Sequence, residues 1–267
     1  MSETDLSNDL NFIFSTYTQM AQTELSERWK EWTLDLSRRE MHEVIGGLLA
    51  RQVTLASHLI AAPAIWNDHI APLILRSMVD NHINLAWIFC DPLDRSRKFI
   101  LHGLGQEKLQ IEHLKAKLET ENPNNDQDPL AQIVKQREEW LNAQRYTFLT
   151  VVNIGSWSGT DTRKMAEEAG CLDLYNYAYT SFSAVTHNMW NHISKFNLVS
   201  CHNPLHRHHR IPIATFDLSN LDFPCMAAEY VETTFSLFDE KTSVKVAAPS
   251  ALSWLVQELN QIHDANR

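Results

Sequence analysis

Glycine and proline are scarce along this chain, and their scarcity is the strongest constraint on its fold. Only 7 Gly and 9 Pro occur among 267 residues. Short strands joined by tight turns need these residues, so a chain with few of them favours long helices. Hydrophobic residues make up 44% of the sequence and recur at helical spacing. We therefore predict an all-α protein, a single-domain bundle of long helices.

The residues that do punctuate the chain divide it into segments. Helices are predicted at about 5–35, 38–60, 64–90, 93–121, 129–150, 162–170, 172–199, 223–242 and 249–265. The clearest loop is E-N-P-N-N-D-Q-D-P, and a second joint lies at about 200–222. No shift in composition marks a domain boundary, so residues 1–267 are predicted to form one domain.

Charge and cysteine usage restrict the classes of function. The net charge of -10 means that nucleic acid would need a local basic patch. The four cysteines are far apart and include no C-x-x-C pair, which is typical of free thiols in a reducing compartment. The start M-S-E-T-D-L-S-N-D-L is too polar for a signal peptide, and no apolar run approaches the roughly 18 residues of a membrane span. We expect a cytoplasmic protein without membrane association.

The stretch Y-N-Y-A-Y-T-S-F-S-A-V-T-H-N-M-W-N-H-I aligns an unusual set of side chains. Tyr175, Tyr179, Ser183 and His187 follow at intervals of four, and Trp190 lies three further on. A helix would place them in one row beside an apolar stripe, where the row would line a cleft or meet a neighbouring helix. The alternative is that these amphipathic side chains only flank the core.

The predicted helix 64–90 supplies a facing partner for this row. Arg76 and Asp80 are four residues apart and can pair along one face. The segment L-I-L-R-S-M-V-D-N-H-I-N-L-A-W-I is apolar over most of its circumference, so the pair is expected to be partly buried. A buried pair is costly unless its geometry is satisfied, and it is often kept for a site or for specificity. The alternative is an ordinary intrahelical ion pair.

Four segments occur in a recognisable order: L-R-S-M-V-D with N-L-A-W-I, then D-P-L-D-R-S-R-K-F-I-L-H-G, then W-S-G-T-D-T-R-K-M-A-E-E-A-G, then Y-x3-Y-x3-S-x3-H. Together they resemble an uncharacterised all-helical bacterial family, a domain of unknown function. The resemblance covers about 40–200. The first helix and the helices within 223–265 are additions to it. It implies a fold and a shared site, but no reaction.

The resemblance implies the following site residues: Arg76, Asp80, Trp157, Arg163, Tyr175, Tyr179, Ser183 and His187. Two positions depart from the family pattern. Asp80 stands where Glu is expected, which shortens its reach. Asn188 stands where the family often has Gly, which could alter how closely another chain or a substrate approaches His187.

A looser similarity is to helical domains of the HEPN type, whose ribonucleases use an Arg and a His with four to six residues between them. Arg97-x4-His102 has the tightest such spacing in this chain. The similarity implies a HEPN-like bundle and metal-independent RNA cleavage. That reaction needs a base for the 2′-OH proton, an acid for the leaving oxygen and a cation for the phosphorane.

We assign roles to the implied residues on this basis. The catalytic set is His187, Arg76, Asp80, Tyr179, Ser183, Arg97 and His102, and the substrate-binding set is Arg163, Trp157, Tyr175 and Trp190. His187 would act as base or acid, an arginine would hold the phosphate, and the tryptophans would stack on a base. Asp80 would orient Arg76 or His187. Nucleophilic serine catalysis is disfavoured because no G-x-S-x-G elbow accompanies Ser183.

The first hypothesis is a metal-independent, HEPN-like endoribonuclease that acts in bacterial antiviral defence or a toxin–antitoxin module. It would bind RNA or a nucleotide, form a homodimer across a two-fold site, and interact with a defence-system partner protein. The second hypothesis is a non-catalytic helical module that binds or senses a nucleotide, a nucleic acid or a protein. An enzyme should bring His187 and an arginine to one solvent-reachable cleft, whereas a structural network should bury them with their polar atoms paired.

The segment C-H-N-P-L-H-R-H-H-R contains side chains that can bind zinc. A structural zinc site needs a second cluster or a defined spacing, and neither is visible in the sequence. No pair of E-x-x-H motifs indicates a di-iron bundle. We therefore expect no metal and no other cofactor, and interpret the segment as a mobile loop with a small basic patch formed by Arg207 and Arg210.

Overall fold

The computed structural model of the chain describes residues 3–121, 128–144, 155–214, 219–246 and 250–265. The helices are α1 (Glu3–Glu31), α2 (Arg39–Ile60), α3 (Ala71–Cys90), α4 (Pro92–Glu121), α5 (Pro129–Asn142), α6 (Thr162–Glu168), α7 (Leu172–Leu174), α8 (Thr180–Thr186), α9 (Trp190–Phe196), α10 (Asp222–Thr242) and α11 (Ala251–Ala265). The remaining elements are two 3₁₀ turns (Leu36–Arg38 and Pro63–Ile65), a π-helical turn (Tyr175–Tyr179) and two strands, β1 (Leu198–Ser200) and β2 (Arg210–Pro212). The predicted all-α class is confirmed.

Local capping chemistry explains where several helices begin and end. The Asp128 side chain accepts a hydrogen bond from the Leu130 amide just before α5, and the Asp161 side chain accepts one from the Lys164 amide at the start of α6. Gly170 follows α6 with a φ of 73°, the left-handed conformation that ends helices. These boundaries lie where the sequence predicts them.

Three predicted features differ from the structure or extend beyond the described residues. The helix predicted at 64–90 begins only at Ala71, because the Asn67 side chain accepts hydrogen bonds from the amides of His69 and Ile70 and closes a turn. The helix predicted at 129–150 ends at Asn142, and the part of that prediction beyond 144 lies outside the described residues. Most of the loop predicted at 121–129 also lies outside them.

The main core lies between α2, α3 and α10, and it is closed by α1 and α11. Its largest fully buried side chains are Tyr17, Ile45, Leu49, Leu59, Ile60, Leu75, Met78, Leu85, Ile88, Phe235 and Phe238. Polar contacts connect α1 with α10 and α11. Arg28 of α1 pairs with Asp239 of α10 at 2.8 Å, and Glu24 of α1 accepts a hydrogen bond from the Ala251 amide of α11. None of the described helices is both long enough and apolar enough to cross a lipid bilayer.

Helix α3 is covered on a second side by the chain from α6 to α8. Val79, Ile83 and Trp87 of α3 form a separate buried cluster with Met165 and Ala166 of α6. Burial on two sides agrees with the apolar circumference of this helix. The same packing brings the π-helical turn and α8 against α3. A third cluster joins α4 to α5.

Candidate functional site

The buried guanidinium of Arg76 is the centre of the site. Arg76 lies on α3 and is only 7% exposed. Its Nε donates a 3.0 Å hydrogen bond to Ser183 Oγ on α8, and its Nη1 pairs with the Asp80 carboxylate one turn further along α3. The guanidinium carbon lies 3.0 Å from the centroid of the Tyr179 ring. A hydrogen bond, an ion pair and a cation–π contact thus offset part of the desolvation of this charge, and Nη1 has no hydrogen-bond partner among the described residues beyond its ionic contact with Asp80.

The carboxylate of Asp80 is the part of this network that reaches solvent. Its side chain is 40% exposed, whereas the Arg76 side chain is 9% exposed. Burial raises the pKa of Asp80, and attraction to the Arg76 guanidinium acts in the opposite direction. The ion pair forms despite the shorter reach of an Asp side chain compared with Glu.

A π-helical turn at Tyr175–Tyr179 sets the geometry of the row. The Thr180 amide bonds to the Tyr175 carbonyl five residues back, and the Thr180 hydroxyl donates to the same oxygen at 3.1 Å. This turn therefore holds one residue more than an α-helical turn, a distortion that is frequent at functional sites. The two Tyr rings stack with centroids 4.5 Å apart and planes at 24°. Tyr179 in turn lies against Arg76.

The Ser183 hydroxyl is engaged both as a donor and as an acceptor. It donates to the Tyr179 carbonyl at 2.7 Å and accepts from Arg76 Nε at 3.0 Å. A nucleophilic serine must pass its proton to a base. The proton of Ser183 points to a helix carbonyl instead, so this residue positions Arg76.

The helix that carries the row ends at His187, which corrects the single helix predicted over 172–199. Asn188 adopts a left-handed φ of 50°. The amides of Asn188 and Met189 bond back to carbonyls of α8 at 3.2 and 2.9 Å, the pattern of a Schellman motif. Only Gly and Asn adopt this conformation readily. Asn188 therefore marks a helix end, whereas the sequence analysis considered this position only for its effect on the approach of another chain or a substrate.

The row is consequently divided. Three of its members, Tyr175, Tyr179 and Ser183, are linked by direct contacts with one another or with the facing Arg76. His187 lies exposed at the end of α8, and its side chain makes no hydrogen bond or ion pair with any residue that the structure describes.

The HEPN-type pair on α4 makes contacts with separate neighbours. Arg97 is exposed, and its Nε lies 3.8 Å from an oxygen of Glu40. His102 Nε2 lies 2.9 Å from the Gly155 carbonyl and 3.5 Å from the Gln106 side chain. No direct contact between Arg97 and His102 occurs in the described structure.

The remaining predicted binding residues have different environments. Trp157 is half-buried and packs edge-on against Trp87 and Phe99, with ring centroids 5.2 and 4.9 Å apart, so part of its surface is used in packing. Arg163 is exposed in the first turn of α6. Trp190 is 69% exposed at the start of α9.

A second polar network, which the sequence analysis missed, joins α3, α4 and α6. The Arg95 guanidinium lies 3.6 Å over the Trp87 ring and donates to the Trp87 carbonyl at 2.6 Å. Glu168 accepts from the Trp87 indole at 2.7 Å and lies 3.4 Å from Arg95. Both charged residues belong to segments quoted for the family resemblance. A search for partners four residues apart overlooks a pair separated by 73 residues.

An open groove of about 570 Å³ lies between α2, α4 and α5. Its apolar wall consists of Val44, Leu48, Phe99, Ile100, Leu104 and Trp140. Arg39 and Glu43 also line the groove and pair with each other at 2.9 Å. Gly47 and Gly103 complete the lining, and a Cβ at either position would meet no atom within 4 Å. No residue of the Arg76 network lines this groove.

Comparison with known proteins supports the resemblance of residues 40–200. A family model described as a family of unknown function, DUF5677, matches residues 42–204. The match contains both polar networks and excludes α1, α10 and α11. No curated protein and no solved structure matches the chain, so these comparisons do not show the HEPN similarity. With more than half of its length matched, the chain belongs to DUF5677, a family of unknown function.

Proposed function

We propose that this protein is a non-catalytic helical binding module, the second of the two hypotheses drawn from the sequence. The observation that carries the proposal is the engagement of Arg76 by Ser183, Asp80 and Tyr179. An arginine that holds a scissile phosphate must offer its N–H groups to that phosphate. Arg76 is only 7% exposed, so the packing around its guanidinium leaves little of it open to a phosphate, which favours a structural network over a catalytic one.

The separation of His187 from this network is consistent with the same conclusion. A general base must reach the proton that it abstracts while a cation holds the phosphate. Here the imidazole is exposed, and the guanidinium is buried among its own partners. In the proposed function, the network fixes α8 and the π-helical turn against α3, a role in specificity that buried polar groups can have.

The ligand site in this proposal is the groove between α2, α4 and α5. Its volume of about 570 Å³ is within the range of small-molecule sites. Phe99 and Trp140 offer aromatic surface, and Arg39, which pairs with Glu43 through Nε and is about half exposed, offers its Nη groups to an anion at the same groove. These groups fit a ligand with an aromatic ring and one anionic group, the chemistry of a nucleotide. The net charge of -10 makes a mononucleotide a better fit than a long nucleic acid.

The test is a titration of the full chain with nucleoside monophosphates, followed by calorimetry. Gly103→Leu fills the groove, whereas Gly103→Ala adds one methyl group at the same position and is the matched control. A Cβ there meets no atom within 4 Å, so Gly103→Ala adds no clash, and circular dichroism of Gly103→Leu checks that the longer side chain leaves the fold intact. We expect binding by the wild type and by Gly103→Ala, and at least about tenfold weaker binding, which corresponds to about 1.4 kcal/mol, by Gly103→Leu. Equal affinity in all three proteins would exclude the groove.

The same preparation tests the ribonuclease hypothesis, and with it the predicted role in defence. Mixed tRNA and mRNA are incubated with the protein in EDTA beside His187→Ala and Arg76→Ala. The binding module should leave the RNA intact. Metal-independent cleavage that is lost in both variants would contradict a non-catalytic module and support the endoribonuclease.

A further inference from the structure

We propose that the tip of the β1–β2 hairpin is a binding site for a zinc-class divalent cation, with Cys201, His206 and His209 as ligands. The cluster lies outside both the Arg76 network and the groove between α2, α4 and α5. This inference is therefore independent of the proposed binding function. It also revises the sequence-based expectation that this segment is a mobile loop without a metal.

Backbone pairing places two of the three ligands opposite each other. Strands β1 and β2 are antiparallel, with Ser200 facing Arg210 at the end that leads into the loop. The Cys201 amide then donates to the His209 carbonyl at 3.0 Å, which extends the ladder by one step. The thiol and the His209 imidazole thus lie at the two sides of the loop entrance.

Two consecutive turns return the third ligand to this entrance. The His206 amide bonds to the Asn203 carbonyl at 3.0 Å, and Pro204 occupies the second position of that turn, where its fixed φ is favourable. The His209 amide then bonds to the His206 carbonyl at 3.1 Å. His208 adopts a left-handed φ of 62° between them. The loop is therefore folded by its own hydrogen bonds.

The donor atoms have separations suited to a metal ion. One ligand atom from each of the three residues lies within 4.8 Å of the other two. Cys201 Sγ is 3.7 Å from His206 Nδ1, and the two imidazole centroids are 5.5 Å apart. In tetrahedral zinc, bonds of about 2.3 Å to sulfur and 2.1 Å to nitrogen place these atoms about 3.6 Å apart. Small side-chain movements are enough to complete the site.

The donor chemistry selects the class of metal. A thiolate with two imidazoles suits zinc and related transition ions, whereas magnesium and calcium prefer carboxylate and carbonyl oxygens. Both imidazoles are exposed, so a water molecule or an added ligand can occupy a fourth position. Three protein ligands with one open position need no second cluster, and the absence of such a cluster was the argument against zinc in the sequence.

The hairpin is connected to the bundle rather than isolated from it. Arg210 donates from Nη1 to the Ser194 carbonyl at 2.8 Å, and the Ile213 amide bonds to the Asn197 carbonyl at 2.9 Å. Arg210 therefore contacts α9 while remaining exposed, and the basic patch with Arg207 stays a prediction. Metal binding at the tip would reinforce a hairpin that is already fixed at its base.

The test uses the full chain, stripped of metal with EDTA, desalted and kept reduced by a phosphine. Cobalt(II) is titrated while the visible and thiolate-to-cobalt charge-transfer absorption is recorded, and zinc is then added to displace it. We expect one equivalent of cobalt, a tetrahedral thiolate spectrum and complete displacement by zinc. Loss of a residue that only hydrogen-bonds a metal ligand weakens metal binding about 10–100-fold. Cys201→Ser, His206→Gln and His209→Gln each remove a direct ligand, so each should weaken zinc binding by more than that.

His202→Gln is the matched control, since it removes an exposed histidine of the same segment that is not part of the cluster. It should bind as the wild type does, and circular dichroism should show equal folding of all metal-free variants. The proposal is overturned if no stoichiometric cobalt binding occurs, if the spectrum lacks the thiolate band, or if binding survives Cys201→Ser.

Discussion

At the scale of single residues, His82 makes stability depend on pH. It lies on α3, is 7% exposed, and its Nδ1 is 3.0 Å from Thr234 Oγ1. Because the Thr234 hydroxyl donates to the Tyr230 carbonyl, the imidazole is the donor in this pair. Burial lowers the pKa of His82 from 6.5 to about 4. The folded protein therefore holds a neutral histidine that the unfolded chain protonates readily.

The sign of this dependence follows from proton linkage. Between pH 6.5 and about 4 the unfolded chain binds the proton and the folded protein does not, so stability is full above pH 6.5 and is lost as pH falls. The loss is on the order of 3 kcal/mol. Urea unfolding at pH 7.5, 6, 5 and 4 measures it, with His82→Asn as a variant that retains a donor but does not titrate. The free energy of unfolding should fall more steeply with decreasing pH in the wild type than in His82→Asn. The same pH dependence in both proteins would contradict the prediction.

At the scale of elements, the contact between α3 and α8 separates two kinds of residue in one row. Arg76→Ala removes the cation from a buried network and leaves the Asp80 carboxylate and Ser183 without it. Loss of one partner of a buried pair lowers the free energy of unfolding by about 3–5 kcal/mol. Because the Asp80 side chain is partly exposed and water can solvate it, we expect a loss at the lower end, about 3 kcal/mol. His187→Ala, at an exposed helix end, should change the free energy of unfolding by less than about 0.5 kcal/mol.

Chemical denaturation of these two variants beside Arg76→Lys checks this assignment. Lysine retains the charge but has no planar fork that can reach Ser183 and Asp80 together, so it should recover little of the lost stability. Comparable losses in Arg76→Ala and His187→Ala would show that His187 belongs to the network after all.

Element boundaries were accessible from sequence where they depend on neighbouring residues. The capping by Asp161 and the helix end at Gly170 are interactions within a few residues, and spacing indicates them directly. The break at Asn188 depends on local chemistry too, but the side-chain periodicity on both sides of it suggested one helix. The π-helical turn was not predicted. Tyr175 and Tyr179 are four residues apart in sequence whether the turn between them is α-helical or π-helical, so their spacing does not distinguish the two.

At the scale of the whole molecule, the helices outside the family match share its core. Phe14 and Tyr17 of α1 and Phe235 and Phe238 of α10 are buried in the same cluster as Leu49 of α2. Without α1 and α10, the part of the chain that the family model covers would expose the apolar surface around Leu49 to water.

A chain truncated to residues 42–204 should consequently fail to fold cooperatively. Its heat-capacity trace should lack an unfolding transition, and its NMR spectrum should lack dispersed amide signals. The full chain under the same conditions is the control. A sharp transition in the truncated chain would establish the family match as an independent domain. The predicted homodimer remains a prediction, and sedimentation of the full chain across a concentration series will determine its mass.

Residue spacing was enough to predict the helical class, most helix positions and the Arg76–Asp80 pair. All of these depend on interactions between residues a few positions apart, which spacing encodes. The packing of the helices was needed to see that Ser183 meets Arg76 across 107 residues, that Arg95 meets Glu168, and that the His187 side chain makes no hydrogen bond with the described members of its row. Such contacts depend on which helix faces pack together, and that choice is made by the core as a whole rather than by any local pattern. The hairpin cluster of Cys201, His206 and His209 arises in the same way, because strand pairing and two turns bring its ligands together.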